Sequence, residues 1–528
     1  MASSTTSLLN SNFGGIRRKN SSFSNEHITC SDCQNVELFF TGLNSGVGIR
    51  TAKGNVAVSK KEIEEQIVSI VPTDEHIYGM FEAVLDNDTY FFVYTENGIE
   101  GKIYTFDKYS TTLNLVKDGM STNNGKVMGN DFTQGWLDMF IVSNGIDIVY
   151  LYVNTEEHTP LTVESEDNIQ LTDTEGRPVK GLGLANFDSR LWIFDGKVLW
   201  YSKKGDCRVF NYVDPEISTS SGFVEFVKSI TAIYPYLGSL AIFFKNSSVL
   251  LKADATTTFK YEEESPGGCA TYDSLVFHGT DLYFYDHTKR GVYSFQQVIN
   301  GDKTLGPNIA EDVQEELMSI TEDRIKEIRA LSVVTADRNE VWFLIPIGDN
   351  NYSQILIYDY VRGEWVKRKC QKINCFGIVD SILYSAGKEI YEEYTGELFD
   401  GEFIDCYYTC SILNLGADNT LKITKFPPRV TCDGSYRNHF WVKYIKNYNP
   451  LKPSKVKEIV GKSYGGVLVW DEGYWDSDAI YQPTNFNASI KLPSATFKAL
   501  EMTLYTTNSD ENFSIKSIEY SKIKVKQV

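Results

Sequence analysis

The chain carries pairs of apolar runs that are separated by short polar turns. In the clearest example, residues 191–194 and 198–202 flank the turn Asp195-Gly-Lys197. Asp-Gly between two such runs is a strong hairpin signal, because glycine takes a positive φ without steric cost. The pattern predicts a β-hairpin whose tryptophans, Trp192 and Trp200, are core residues.

Six further hairpins with the same pattern are predicted along the chain. They span residues 90–107, 138–152, 239–251, 279–295, 339–359 and, in a weaker version, 381–391. The seven hairpins start at steps of 41 to 59 residues, which fits one four-stranded propeller blade for each hairpin. Residues 229–233 and 327–333 lie where innermost blade strands are expected. A solenoid is the structural alternative, although its repeats are usually more uniform in length.

Two segments interrupt the hairpins. Residues 309–330 have apolar positions at Val313, Leu317, Ile320, Ile325 and Ile328 among charged neighbours, a pattern typical of one or two amphipathic helices. Such an insertion is expected on the rim of a propeller. The polar residues 155–177 are predicted to form a long surface excursion.

The hairpin region has a different kind of sequence on each side. Residues 1–60 are rich in Ser, Asn and Gly and are predicted to form an extended arm with one strand at 36–40. Residues 411–528 have longer runs that alternate apolar and polar positions, as half-buried strands do. We therefore predict an all-β chain in which 1–60 is an N-terminal arm. Residues 61–410 are then a β-propeller of about seven blades with a helical insertion at 309–330, and 411–528 a C-terminal β-sandwich-like domain.

Composition and charge limit the classes of function that the chain can have. The 528 residues are 42% hydrophobic and 13% aromatic, and the formal net charge is −19. That charge opposes tight wrapping of nucleic acid or of an anionic membrane, but not the passage of nucleic acid through a cavity. There is no apolar run of about 20 residues, the N-terminus lacks the features of a signal peptide, and nine cysteines do not make a complete disulfide framework. We expect synthesis in a reducing cytosol.

The search for catalytic and metal-binding motifs finds weak candidates. The six histidines lack ligand spacing. Cys30 and Cys33 have the spacing of half a zinc knuckle, which Cys406 and Cys410 or Cys370 and Cys375 would have to complete, and reduced buried thiols are the favoured interpretation. The G-x-S-x-G at residues 461–465 is followed by a strand-like run rather than a helix, so a plain turn is predicted. We predict no enzymatic activity, metal or cofactor.

Four groups of residues together resemble the β-propeller tail nozzle, or tail hub, proteins of short-tailed bacteriophages. They are the Asn-Phe-Gly-Gly-Ile run at 12–16, the hairpin at 191–206, the segment at 312–317 and the closing run at 497–520. The resemblance implies a virion protein without catalytic activity, of which six copies form a ring at the end of the tail tube. That ring continues the DNA channel, retains the packaged DNA and opens for ejection.

The resemblance also implies partners and a location. The expected partners are other copies of the chain, tail tube or adaptor proteins, tail fibres, double-stranded DNA held without sequence specificity, and the host surface. The protein would be assembled in the host cytoplasm and reside in the virion tail. The densest basic sites are the candidate DNA contacts: Arg17, Arg18, Lys367, Arg368 and Lys369. The alternative function is a receptor-binding or glycan-cleaving propeller, which the many aromatic residues of the hairpins favour.

Overall fold

The structure is a computed structural model of the whole chain. It describes all residues except 1–4, 11–12, 17–27, 42–45, 65, 135–136, 154–160, 215–218, 254–258, 263, 301–303, 348–350, 411–419, 425–428, 434–437, 447–454, 461–485, 490–495, 498–499 and 528.

The chain forms two compact units, and each is assembled from separate stretches of sequence. Residues 56–354 and 371–393 make up one unit, which we call the ring unit. Residues 1–55, 355–370 and 394–528 make up the other, the terminal unit. These bounds differ from the predicted limits of 61–410 for the propeller. The difference arises because residues 355–370 and 394–410 associate with the N-terminal and C-terminal segments.

The ring unit consists of small antiparallel sheets that follow one another in sequence. Sheet 1 is formed by His76–Leu85, Asp88–Glu96, Gly101–Asp107 and Thr112–Met120, and sheet 2 by Met128–Gln134, Leu137–Ser143, Ile148–Tyr152 and Thr162–Val163. Sheet 3 is formed by Leu182–Phe187, Arg190–Asp195, Val198–Tyr201 and Gly222–Glu225, and sheet 4 by Ile230–Tyr236, Ser239–Phe244, Ser247–Ala253, Phe259–Tyr261 and Ser265–Pro266.

The later sheets are less regular. Sheet 5 is formed by Leu275–His278, Asp281–Asp286 and Gly291–Ser294, sheet 6 begins with Arg329–Val334 and Asn339–Ile345, and sheet 7 includes Ile373–Val379, Ile382–Gly387 and Ile390–Glu393. The division between the units runs through three strands, Asn55–Ala57, Tyr352–Asp359 and Glu364–Gln371. The ring unit also contains a separate hairpin of Lys60–Ile63 and Gln66–Ser69.

All seven predicted hairpins form, and the one at 190–202 shows why. Asp195 and Val198 are paired at the end of its ladder, and Gly196 between them has a φ of 58°. That left-handed conformation is one that glycine adopts at no steric cost. Trp192 is fully buried and Trp200 is 4% exposed, so both are core residues, as predicted.

The sheets close into a ring because each packs on the next and the last packs on the first. Phe92 of sheet 1 stacks on Phe140 of sheet 2, with ring centroids 4.9 Å apart. At the closure, Phe91 of sheet 1 lies 5.0 Å from the ring of Tyr384 in sheet 7. Val58, from the start of the unit, donates its amide to the carbonyl of Ile390 at 2.8 Å. The ring unit is a β-propeller, and the chain is all-β as predicted.

The helical insertion is shorter than its pattern predicts. Within residues 309–330 there is one short α-helix, Gln314–Met318, and two 3₁₀ turns, Glu311–Val313 and Ile325–Glu327. A further α-helix, Phe295–Asn300, precedes the predicted segment. The five apolar positions from Val313 to Ile328 are nevertheless all buried. The spacing of five residues between Ile320 and Ile325 breaks the helical period, so the segment folds as separate turns with one buried side.

Residues 155–177 are not simply a surface excursion. The described part contains the strand Thr162–Val163 and the 3₁₀ turn Glu166–Asn168. Asp173 is 2% exposed and accepts a hydrogen bond from the indole of Trp200 at 3.1 Å. Part of this polar segment therefore packs against sheet 3.

The terminal unit contains two larger sheets, and residues 5–51 contribute strands to both. One sheet is formed by Phe13–Ile16, Ile28–Gln34, Tyr407–Cys410, Leu500–Tyr505, His439–Lys446 and Lys455–Val460. The other is formed by Thr5–Asn10, Val36–Phe40, Val47–Thr51, Thr420–Thr424, Arg429–Cys432, Phe486–Ser489, Thr496–Phe497 and Ser514–Gln527. The prediction of an extended arm with one strand was therefore wrong: these residues hydrogen-bond with the C-terminal strands.

The glycine pair at 14–15 is needed for close packing. Gly15 donates its amide to a carboxylate oxygen of Glu364 at 3.1 Å. A Cβ on Gly15 would lie 2.4 Å from the carbonyl oxygen of Trp365. The two backbones therefore approach closely here, which a side chain would prevent.

Replacing Gly15 with alanine is expected to destabilise the terminal unit by about 1–3 kcal/mol, the usual cost of overpacking. Denaturant unfolding followed by far-UV circular dichroism measures the loss. Gly401→Ala is the matched control, since a Cβ there meets nothing within 4 Å. That control carries the strain of a φ of 87° without any clash. Equal losses in the two variants would contradict the packing argument.

Candidate functional site at the propeller axis

The inner strands of the ring unit bring charged groups together at one end of the axis. Arg329 begins the inner strand of sheet 6. Its guanidinium donates to the carbonyl of Tyr78 in sheet 1 at 2.7 Å and to that of Gly125, just before sheet 2, at 2.8 Å. Since these partners belong to sheets that are not neighbours of sheet 6, the side chain spans the axis.

Asp273 supplies the negative charge of this cluster. It lies in the 3₁₀ turn Tyr272–Ser274 before sheet 5, and one carboxylate oxygen is 4.0 Å from Nε of Arg329. Burial raises the pKa of Asp273, and the charge of Arg329 opposes that rise. The positive charge is held in place by two carbonyls and one carboxylate, so the axis cluster (Arg329, Asp273, Tyr78 and Gly125) is an internal brace.

Glu96 fixes the loop that receives Arg329. Its carboxylate, 5% exposed, accepts hydrogen bonds from the amides of Asn123 at 3.0 Å and Gly125 at 2.9 Å, and from the hydroxyl of Tyr94 at 3.0 Å. The backbone at Gly125 has a φ of 71°, and a Cβ there would lie 2.1 Å from the ring of Tyr78. The carbonyl that Arg329 binds is therefore set in place by its own surroundings.

A second group, the acidic mouth (Glu82, Asp131, Asp138), lies towards the other end of the inner strands of sheets 1 and 2. Asp131 is exposed, yet partial desolvation raises its pKa to about 6, and the carboxylates of Asp138 and Glu82 add to the rise. Asp138 accepts a hydrogen bond from the hydroxyl of Thr133 at 2.7 Å, and Glu82 one from the amide of Asp380 at 3.2 Å. Asp131 is thus protonated more easily than an ordinary aspartate.

Replacing Asp131 with asparagine is expected to raise the melting temperature near pH 8 and to have a smaller effect as the pH falls towards about 4. The folded pKa of Asp131 lies above its ordinary value. The group therefore favours folding only below that ordinary value, and this contribution is lost as the pH rises to about 6. Differential scanning fluorimetry across this range measures it. The exposed Asp118→Asn is the control, and a pH-independent difference for Asp131→Asn would contradict the assignment.

Two of the predicted DNA contacts, Lys367 and Arg368, lie elsewhere, in the terminal unit. Lys367 is 8% exposed and pairs with Asp32. Arg368 is 2% exposed and donates to the carbonyls of Lys53 at 2.9 Å and Gly54 at 3.2 Å. These two side chains are internal to the unit, so the expectation that they present their charges to DNA is corrected.

The other predicted DNA contacts are Lys369, Arg17 and Arg18. Lys369 is half-buried, and its contact with DNA stays a prediction. Arg17 and Arg18 lie outside the described residues. The G-x-S-x-G at 461–465 and the aromatic cluster of Trp470, Tyr474, Trp475 and Tyr481 lie outside them as well.

The cysteines and two cavities are further candidate sites. All nine cysteines are buried thiols, and the described residues hold no group of three or more ligands that suits a metal ion. A cavity of about 320 Å³ in the ring unit is lined by residues that include Phe295, Ile299 and Glu262. A cavity of about 290 Å³ in the terminal unit is lined by residues that include Glu397 and Asn512. Among the described residues, no helix is long and apolar enough to span a membrane.

The axis cluster was not among the sites predicted from the sequence. Arg329 stood inside a segment that was correctly predicted as an inner strand, and a charged residue at such a position is the signal that was overlooked. Asp273 offered no comparable signal, because it lies in a short turn between two predicted hairpins.

Comparisons with known proteins show a similarity in fold alone. No family model matches the sequence, and no curated protein sequence matches it significantly. A solved structure of a streptogramin B lyase is similar over 62% of this chain and 94% of its own, with 13% sequence identity and a TM-score of 0.36. At that score, the similarity carries no argument about the chemistry of this chain.

Proposed function

We propose that this chain is a structural subunit of a bacteriophage tail nozzle, or hub, in which copies form a ring around the DNA channel. Six copies close head to tail, as heterologous interfaces do when the rotation between subunits completes a circle. The ring binds tail tube or adaptor proteins and tail fibres, retains the packaged DNA and opens for ejection. Subunits are made in the host cytoplasm and act in the virion, without enzymatic activity.

The observation that carries the proposal is the burial of two predicted DNA-contacting cations in a chain of negative net charge. Lys367 and Arg368 lie inside the terminal unit, while the chain as a whole has a net charge of −19. Each phosphate that a protein neutralises adds salt-dependent affinity for DNA. A channel subunit of strongly negative net charge would hold DNA by confinement and let it slide.

The axis cluster supports the same proposal. Arg329 spans the propeller axis and is bound to two backbone carbonyls. The side chains of this cluster occupy one end of the space around the axis. The ring unit is thus braced as a rigid body, which suits a part in a larger assembly.

The test is the assembly state of the purified protein. Mass photometry and negative-stain imaging, with the protein alone and with tail tube components, are expected to show a ring of six copies that attaches to the tube. Fluorescence anisotropy with a short DNA duplex is expected to show weak binding that changes little with salt. A monomer that never attaches to the tube, or tight and strongly salt-dependent DNA binding, would refute the proposal.

A glycan-cleaving or receptor-binding propeller is the second candidate, and Asp131 favours it. A carboxyl with a pKa of about 6 beside another carboxylate, Asp138, is the arrangement that glycosidases use for a general acid and its partner. A glycan array and an assay of reducing-sugar release test this function. Release by the wild type that is lost in Asp131→Asn but kept in Asp118→Asn would support it, and no signal in both assays would exclude it.

A further inference from the structure

Two cysteines face each other across neighbouring strands of the terminal unit. The strands Ile28–Gln34 and Tyr407–Cys410 pair antiparallel, and Cys30 is directly opposite Cys410. Both thiols are buried, Cys30 completely and Cys410 with 5% exposed, and both are free. Residues that are directly opposite in an antiparallel pair have Cα atoms about 4.5–5.5 Å apart, which lies within the range that a disulfide spans.

Two further cysteines share this buried face. Cys33 is opposite Tyr408, and the register shifts between Cys30 and Asp32, so the thiols of Cys30 and Cys33 come into contact on one side of the strand. Cys406 donates its thiol to the carbonyl of Asn35 at 3.1 Å. Cys30 therefore has two candidate partners, Cys33 along its own strand and Cys410 across the ladder.

The geometry favours the partner across the ladder. Three residues of regular extended strand span about 10 Å, and a disulfide cannot bridge Cα atoms more than about 7 Å apart without backbone movement. The register shift lets the thiols of Cys30 and Cys33 touch, but the two residues are still three positions apart along one strand. Cys30 and Cys410 need no such movement. We propose that Cys30 and Cys410 are an oxidation site, at which a small-molecule disulfide converts the two thiols into a cross-strand disulfide bond.

The reaction is a thiol–disulfide exchange with oxidised glutathione or a similar compound. One protein thiolate attacks the small disulfide, forms a mixed disulfide and releases the first glutathione thiol. The second protein thiolate attacks the protein sulfur of that mixed disulfide and releases the second glutathione thiol. The two protein thiols are oxidised, the small disulfide is reduced to two thiols, and the two protons pass to these products.

The surroundings of Cys30 and Cys410 determine how fast the pair is oxidised. Burial raises the pKa of Cys410 to about 12 and that of Cys30 well above its ordinary value. Few thiolates are present at neutral pH, and burial keeps a small disulfide away from both sulfurs until the strands open locally. Oxidation is therefore slow and becomes faster as the pH rises. The pair stays reduced in a reducing cytosol. The place of oxidation rests on the proposed function. If the protein is part of a virion, release from the host brings the pair into an oxidising medium.

The test uses the purified full chain, incubated with oxidised glutathione at about pH 8.5 and then alkylated. A bond between residues 30 and 410 closes most of the chain into a loop, so the oxidised protein should migrate faster on a non-reducing denaturing gel. Peptide mapping by mass spectrometry should show the Cys30–Cys410 linkage. The faster band should disappear in Cys410→Ser and persist in Cys33→Ser and in Cys432→Ser, a cysteine of the other sheet of this unit.

Each alternative outcome overturns the inference. A Cys30–Cys33 linkage would show that the neighbour on the same strand is the partner. Complete alkylation of all nine cysteines after unfolding of the treated protein would show that no disulfide forms. If Cys410→Ser does not fold, the peptide map of the wild type still decides between these results. The test does not depend on the assembly of a ring, so it can succeed or fail independently of the proposed function.

Discussion

Replacing Trp192 with alanine is expected to reduce the stability of the ring unit by about 3–5 kcal/mol, the usual cost of removing a large buried aromatic side chain. The side chain is fully buried in the core between sheets 3 and 4. Its ring centroid lies 5.0 Å from that of Tyr201 and 4.9 Å from that of Phe259. Its indole also donates to the carbonyl of Phe187 at 2.9 Å, so the substitution removes packing and leaves an acceptor unpaired.

The measurement should follow the ring unit and not only the whole chain. Hydrogen exchange of peptides from sheets 3 and 4, together with urea unfolding followed by circular dichroism, reports the loss locally. Tyr109 is 94% exposed, so Tyr109→Ala is a control that removes an aromatic side chain with an effect within about 0.5 kcal/mol. If Trp192→Ala folds with unchanged stability and instead loses binding to a ligand, the structural role is wrong.

The hairpins could be predicted from sequence because each combines two local signals. Polar turn residues such as Asn97-Gly98 and Asp195-Gly196 separate apolar runs that are buried in the structure, and both signals lie within about 15 residues. The inner strands of sheets 1 and 2 gave no such signal. The inner strand of sheet 2, Met128–Gln134, has one fully buried residue, Phe132, because its other positions lie near the axis.

The units were harder to predict because their cores join distant segments. The strand Ile28–Gln34 pairs with Tyr407–Cys410, and no local pattern indicates a partner almost 400 residues away. The composition of residues 1–60, rich in Ser, Asn and Gly, is typical of an arm when it is considered alone. The same limit applies to Lys367 and Arg368, since a basic run looks exposed until Asp32 and the carbonyls of Lys53 and Gly54 are brought beside it.

The second large effect is expected at the propeller axis. Arg329→Met keeps the length of the aliphatic chain but removes the guanidinium. The carbonyls of Tyr78 and Gly125 each lose a charged donor, and the carboxylate of Asp273 loses the nearer of its two positive neighbours. The side chains of Arg329 and Asp273 are 17% and 21% exposed and lie 4.0 Å apart, so the expected loss is about 1–3 kcal/mol, mainly from the unpaired carbonyls. Urea unfolding followed by circular dichroism is the measurement.

The pH dependence and a second substitution distinguish this brace from simple packing. The pKa of Asp273 is already raised in the folded protein, and losing Arg329 raises it further. Since a raised folded pKa favours folding only below the ordinary value, the loss of stability in Arg329→Met should be larger near pH 8 than at about pH 4.

Adding Asp273→Asn to Arg329→Met should restore part of the stability through the coupling of the two groups. Arg324, which pairs with Glu327 at the surface, is the control, and Arg324→Met should change stability by less than about 1 kcal/mol. Additive losses in the double variant would show that Arg329 and Asp273 act independently and that the axis cluster is not a brace.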